Sequence, residues 1–234
     1  MTLSSFDPEK ITLTSSRVSD LLSRLFTQAQ AVENRPETHR KELNQNPLTA
    51  DLPDYLTFYA REKHRYLEVS PDTGILLYQL ARACRARSIV EFGTSFGIST
   101  IYLASALRDN GGGKLIGTEF ESSKVAGARQ NLKDAGLDDL VEIREGDALE
   151  TLARDLSQEI DLVLLDGAKE LYPRILSLLE PRLRPGAIIV ADNADWSPAY
   201  LASVRSNDGG YLSIPFASDV ELSIKLEPAG VRDE

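Results

Sequence analysis

The sequence has little that would tie it to an oxidising compartment, a membrane or nucleic acid. One cysteine, Cys84, stands among 234 residues, so no disulfide forms within the chain and no cysteine-rich metal site is available. The histidines are two, His39 and His64, and their surroundings (ETHRKE and REKHRY) read as exposed helix. Apolar runs stop at four or five residues, against the roughly 20 a membrane span needs. The first residues, MTLSSFDPEK, lack the charged start and apolar run of a signal peptide. Basic residues are outnumbered, 26 Lys and Arg against 36 Asp and Glu, for a net charge of −10. That balance argues against a nucleic-acid partner. The expectation is a soluble cytoplasmic protein. Neither G-x-G-x-x-G nor G-x-x-x-x-G-K-[ST] occurs, so the common phosphate-cradling loops are missing too.

What is present is a core. Hydrophobic residues make up 42% of the chain, enough to exclude global disorder. Val18, Leu21, Leu22, Leu25 and Phe26 recur at helical spacing behind Ser15 and Ser16 as caps. Pro36, Pro47, Pro53 and Pro71 then punctuate a polar stretch, and TGILLYQLARACRA, from Thr73, predicts a helix. From Arg87 onward, short apolar runs alternate with amphipathic segments. Strands are predicted at 88–92, 114–120, 140–145, 160–166 and 186–193. Helices are predicted between them at 97–107, 121–135, 148–157 and 171–182. That alternation implies right-handed βαβ units and a parallel sheet covered on both faces. YLSIP at 211–215 and ELSIKL at 221–226 lie too close together for a parallel crossover, so they predict an antiparallel hairpin. The fold class is therefore α/β, a Rossmann-like doubly wound and mostly parallel seven-stranded sheet with a C-terminal antiparallel hairpin and an N-terminal helical lid. Residues 1–70 are expected to form that lid or a dimerisation segment, and 71–234 the ligand-binding domain.

In an open α/β sheet, ligands bind outside the carboxyl ends of the strands. Those ends carry EFGTSFGIS (91–99), Glu119-Phe120, Gly146-Asp147-Ala148, Asp166 and Asp192-Asn193. Read singly, Asp166-Gly167 is a turn and Asp192-Asn193 a polar cap. Together they put an acid at or near each of five strand ends. Gly93 and Gly97 allow a ligand close to the backbone. Glu119 suits a ribose diol, because a carboxylate accepts two hydroxyl hydrogen bonds. Without a phosphate loop, the better ligand is a nucleoside cofactor lacking phosphates, such as S-adenosylmethionine, with Asp147 beside the adenine amino group.

In this order, EFGTSFGIST, GTEF, REGDA, DLVLLDGAK and IIVADN resemble the class I S-adenosylmethionine-dependent methyltransferases. More narrowly, they are similar to the metal-dependent catechol and caffeoyl-CoA O-methyltransferase group. The resemblance covers roughly 70–226. It implies that Glu91, Gly93, Thr94 and Ser99 lie beside the methionine part of the cofactor, Glu119 on the ribose, and Phe120 against the adenine. Asp147 and Ala148 would meet the adenine edge, and Asp166 would border the cofactor. It further implies a divalent cation, Mg²⁺ by its all-oxygen ligand set, on Asp166, Asp192 and Asn193. Lys169 would be the catalytic base. Lys169, Asn193, Trp196 and Glu221 would meet the acceptor, a hydroxylated aromatic of catechol type. The group also implies a homodimer. Ala168 departs from the D-A-D-K of many relatives. The segment after the fifth strand lacks a glycine expected soon after Trp196, which leaves the acceptor open. The alternatives are a regulatory module that binds the cofactor without catalysis, a metal-independent methyltransferase, and, more remotely, a nicotinamide-dependent oxidoreductase.

Overall fold

Runs rich in Ile, Val and Leu become strands here because branched side chains fill a pleated surface buried on both faces. The computed structural model describes residues 10–33, 67–216 and 219–227. Its strands are β1 (Ser88–Phe92), β2 (Lys114–Glu119), β3 (Val141–Glu145), β4 (Ile160–Leu165), β5 (Leu183–Ala191), β6 (Tyr211–Phe216) and β7 (Val220–Lys225). They form one seven-stranded sheet in the order β3-β2-β1-β4-β5-β7-β6. The first five are parallel, and β7 pairs antiparallel with both β5 and β6. The expected doubly wound sheet and its C-terminal hairpin are thus both present. Strand order reverses between β1 and β4, and the loops after them part to leave a cleft at that point.

Helices cover both faces. On one side lie α1 (Ser16–Glu33), α2 (Pro71–Ala83), α3 (Ile98–Asp109) and α4 (Ser122–Ala135). On the other lie α5 (Ala148–Thr151), α6 (Tyr172–Leu179) and α7 (Pro198–Val204). Ser70 caps α2 by accepting from the Thr73 amide at 3.1 Å, and Pro71 opens its first turn. The apolar stripe of α1, Val18, Leu21, Leu22 and Leu25, shares one core with α2 and α3. Residues 1–9 and 34–66 of the expected lid, with His39 and His64, lie outside the described residues. No described helix is long and apolar enough to cross a membrane.

Three expectations need correction. The helix predicted over 148–157 stops at Thr151. Arg144 gathers the carbonyls of Thr151, Arg154 and Asp155 at 2.7, 2.7 and 2.9 Å, and Asp155 turns left-handed at φ 52. The segment predicted as one helix over 171–182 is α6 flanked by 3-10 turns at Lys169–Leu171 and Glu180–Arg182. A 3-10 turn at Ala194–Trp196 and helix α7 follow β5, where the sequence reading placed no element.

Candidate active site

The loop after β1 is shaped by one buried acid. Glu91 has no exposed surface, and its side chain accepts three hydroxyl hydrogen bonds. Ser99 donates to Oε1 at 2.7 Å, and Thr94 and Thr100 donate to Oε2 at 2.9 and 2.6 Å. Glu91 thus stands behind the loop and fixes it, while Gly93, Thr94 and Ser99 line the cleft side. Burial, only partly offset by the three hydroxyls, pushes its carboxyl up to about 7. The folded chain then keeps a proton on Glu91 between its ordinary value of 4.5 and about 7, where the unfolded chain has released it. Stability from this group is therefore full at low pH and falls as pH rises through that window. Melting curves of Glu91→Gln should lose this part of the pH dependence. An unchanged profile would place the titration elsewhere.

Gly93 turns at φ +96, and a Cβ there would lie 2.6 Å from the Asp166 carbonyl oxygen. The β1 loop and the β4 loop can approach this closely only over a glycine. Beyond them opens a cleft of about 650 Å³. Glu119, Phe120, Asp147, Ala148 and Asp166, the residues expected beside a cofactor, all line it, and so do Leu67 and Lys124. The Glu119 carboxylate is held in place by the amides of Phe120 and Glu121 on Oε1 and of Ser95 on Oε2, each at 2.9 Å. Three of its roughly four acceptor positions are filled, so a ligand hydroxyl meets a carboxylate that is already oriented. Asp147 caps α5, accepting from the Leu149 amide at 2.8 Å.

The second half of the site rises from the neighbouring ends of β4 and β5. Leu165 pairs with Ala191, which brings Asp166 and Asp192 side by side. The Tyr172 hydroxyl lies 2.8 Å from the carbonyl oxygens of both Leu165 and Asp192 and ties the two strand ends together. Its ring stacks edge-on with Phe92 and Tyr200 at 6.2 and 5.7 Å. Lys169 donates from Nζ to Asp166 Oδ1 at 2.9 Å, and both side chains are buried. Burial raises the Asp166 carboxyl, against the pull of Lys169. Burial and then the charge of Asp166 push Asp192 up to about 7. Two buried carboxyls this close resist double ionisation. They do so least when a cation joins them.

That pair tests the fit of a divalent ion. Among the described residues no three His, Cys, Asp or Glu side chains gather as a ligand cluster. Asn193, the third donor expected from the sequence, follows Asp192 on a left-handed turn at φ 47. Two carboxylates and an amide oxygen are the donors a hard cation takes. Asn193 Nδ2 stands 3.5 Å from Asp219 Oδ2, and the Asp219 charge also acts on Asp192. Asp219 belongs to this rim and was missed by sequence reasoning. Trp196 lies on the following turn, 61% exposed.

Glu221 stands opposite Ala191 at the end of β5, but its carboxylate is taken up by other partners. It is 1% exposed and bonded by both arms of Arg205 at 2.7 and 2.6 Å, and by the Ser213 hydroxyl at 2.6 Å. Burial opposes its charge, yet Arg205 and Ser213 hold the carboxyl below the usual range. Its role is to strap α7 to the hairpin. Alternation along β7 buries it, while Asp219, two residues earlier in the hairpin turn, faces Asn193.

The family described as a methyltransferase domain matches residues 90–194. The chain is 38% identical over 130 residues to a catechol O-methyltransferase of Niastella koreensis, a match covering 54% of this chain and 58% of that protein. The match therefore spans less than two thirds of that relative. A putative O-methyltransferase of Mycolicibacterium smegmatis is 34% identical over 69% of this chain and 79% of its own length. Among solved structures, the O-methyltransferase TomG of Streptomyces achromogenes, in complex with S-adenosylmethionine, superposes with a TM-score of 0.61 and 30% identity over 77% of this chain and 93% of that one. With a cleft at the strand-order reversal, its glycine-lined β1 loop and these likenesses, the chain belongs to the class I S-adenosylmethionine-dependent O-methyltransferases.

Proposed function

We propose that the protein transfers the methyl group of S-adenosylmethionine to one hydroxyl of a vicinal diphenol, with the help of a divalent cation. The observation that carries the reading is the meeting of Asp166, Asp192 and Lys169 at the mouth of the cleft that Glu119 and Gly93 line. The relative named as a catechol O-methyltransferase supports the acceptor class. When bound, the cofactor supplies an electrophilic methyl on a sulfonium sulfur. Asp166, Asp192 and Asn193 would hold the cation, whose Lewis acidity orients the diol and lowers the pKa of one hydroxyl. Glu119, fixed by three backbone amides, anchors the ribose. As the acceptor oxygen attacks the methyl carbon, the carbon–sulfur bond breaks to release S-adenosylhomocysteine, and the hydroxyl proton passes to Lys169 Nζ, which acts in its neutral form. Tyr172 and Glu91 keep the two halves of the site in register, because methyl transfer depends chiefly on alignment. Trp196, exposed beside Asn193, offers an aromatic wall to the acceptor. A homodimer is part of the proposal, supported by the apolar row of Leu212, Ile214 and Phe216 left exposed on edge strand β6.

The test is product analysis with methyl-labelled cofactor and paired acceptors, a vicinal diphenol against the phenol that lacks its second hydroxyl. Label should enter the diphenol at least about 100-fold faster, since a lost bidentate contact leaves the site's polar groups unpaired. Equal labelling of both would remove the diol from the proposal.

A further inference from the structure

The hairpin turn between β6 and β7 brings a carboxylate against the rim at Asn193. Asp219, half-buried in that turn, stands with Oδ2 3.5 Å from Asn193 Nδ2. Its backbone carbonyl accepts from the Ala194 amide at 2.8 Å, so main chain as well as side chain ties the turn to the segment after β5. Two residues on, Glu221 pairs with Ala191 in the β5–β7 ladder and is held by Arg205 at the end of α7. The backbone at Asp219 is therefore fixed beside Asn193 whatever side chain it bears.

An asparagine amide has two ends of nearly the same shape and opposite polarity. A hard cation takes only the oxygen end. Asn193 is carried on a left-handed turn at φ 47, and that turn alone does not choose between the two ends. An ionised carboxylate does choose, because it accepts hydrogen bonds and donates none. Facing Asp219, the Asn193 NH₂ is attracted and the amide oxygen repelled. The oxygen is left on the far side of the amide, as the end a cation can take. The charge of Asp219 also reaches Asp192, so orientation of the amide has to be separated from plain attraction of the ion.

We propose that Asp219 is a positioning residue, which holds the Asn193 amide by its nitrogen and so presents the oxygen to the cation. This rests on the cation site proposed on Asp166, Asp192 and Asn193. The test reads metal binding and not turnover. Mn²⁺ is titrated into the full chain with saturating S-adenosylhomocysteine, and the free ion is counted by electron paramagnetic resonance. Asp219→Ala should bind Mn²⁺ about 10- to 100-fold more weakly, the usual cost of losing a group that orients a ligand. Asp219→Asn, whose side-chain oxygen still accepts from Asn193 Nδ2 but carries no charge, should stay within about threefold of the native chain. Affinity for S-adenosylhomocysteine without metal should be unchanged in both. Native Mn²⁺ affinity in Asp219→Ala overturns the proposal. So does Mn²⁺ binding by Asp219→Asn as weak as that of Asp219→Ala, which makes charge the cause. Loss of S-adenosylhomocysteine binding along with Mn²⁺ overturns it too, because the damage is then general. If the native chain binds S-adenosylhomocysteine but no Mn²⁺, the cation site itself fails and takes this role with it. Should Asp219→Ala not fold, Asp219→Leu carries the same expectations.

Discussion

Lys169→Met is expected to lower kcat by about 10²- to 10⁴-fold, the range of a lost general base, and to leave affinity for S-adenosylhomocysteine within a few-fold. The split follows from position. Lys169 sits in a 3-10 turn next to the cleft wall made by Gly167 and Ala168, so the cofactor side keeps its lining when the lysine is cut. Its amine instead reaches Asp166 Oδ1, at the strand ends where the proposed acceptor would sit. A competing account makes Lys169 only the counter-charge of the Asp166 and Asp192 pair. Lys169→Arg separates the two, because a guanidinium keeps the charge and does not give up its proton. If Lys169 is the base, the arginine enzyme is as slow as the methionine enzyme under saturating cofactor. If it is only a counter-charge, arginine restores most of the rate.

The second large effect is expected at Gly93. An alanine Cβ there would lie 2.6 Å from the Asp166 carbonyl oxygen and 2.7 Å from the Gly167 nitrogen, both backbone atoms, at φ +96. Neither neighbour can swing away as a side chain could, so the β1 and β4 loops must separate. Positive φ costs about 1–2 kcal/mol, and forced overpacking adds roughly 1–3 kcal/mol. For a chain of this size that sum lowers the Tm by about 5–15 °C. Cofactor affinity should fall with it, and turnover by about 100-fold, since misplacement of about 1 Å already costs that much in rate. Gly112→Ala is the control: its φ is +105, yet nothing stands within 4 Å of the new atom. It should show the conformational cost alone and bind cofactor normally. Equal losses at both positions would mean that φ, and not the close approach, decides the effect.

What the sequence disclosed follows from which forces are local. The parallel strands were legible because a sheet buried on both faces demands continuous apolar runs, and LVLL and AIIVA supply them. Asp166 and Asp192 were legible because polarity returns where such a strand ends at the rim. The end of α5 was not legible, because Arg144 on a different strand terminates it. Helix α7 is one short segment behind Pro198, too brief for a 3.6-residue period to declare itself. Glu221 was misplaced because period-2 alternation puts it inside, against Arg205, a partner whose contact no local pattern encodes. Lys124 escaped notice for the opposite reason. A lysine on a polar helix reads as solvated until the fold turns it toward the cleft.

The proposed cation site on Asp166, Asp192 and Asn193 is open to one direct measurement. Native protein is stripped with a chelator, and methyl transfer from labelled S-adenosylmethionine to catechol is followed as Mg²⁺ is returned, with S-adenosylhomocysteine binding measured in parallel. The expected result is no transfer in excess chelator, recovery on adding Mg²⁺, and cofactor binding that changes little throughout. Methylation of catechol at the same rate in excess chelator would contradict the account, since the paired carboxylates would then have no cation to hold.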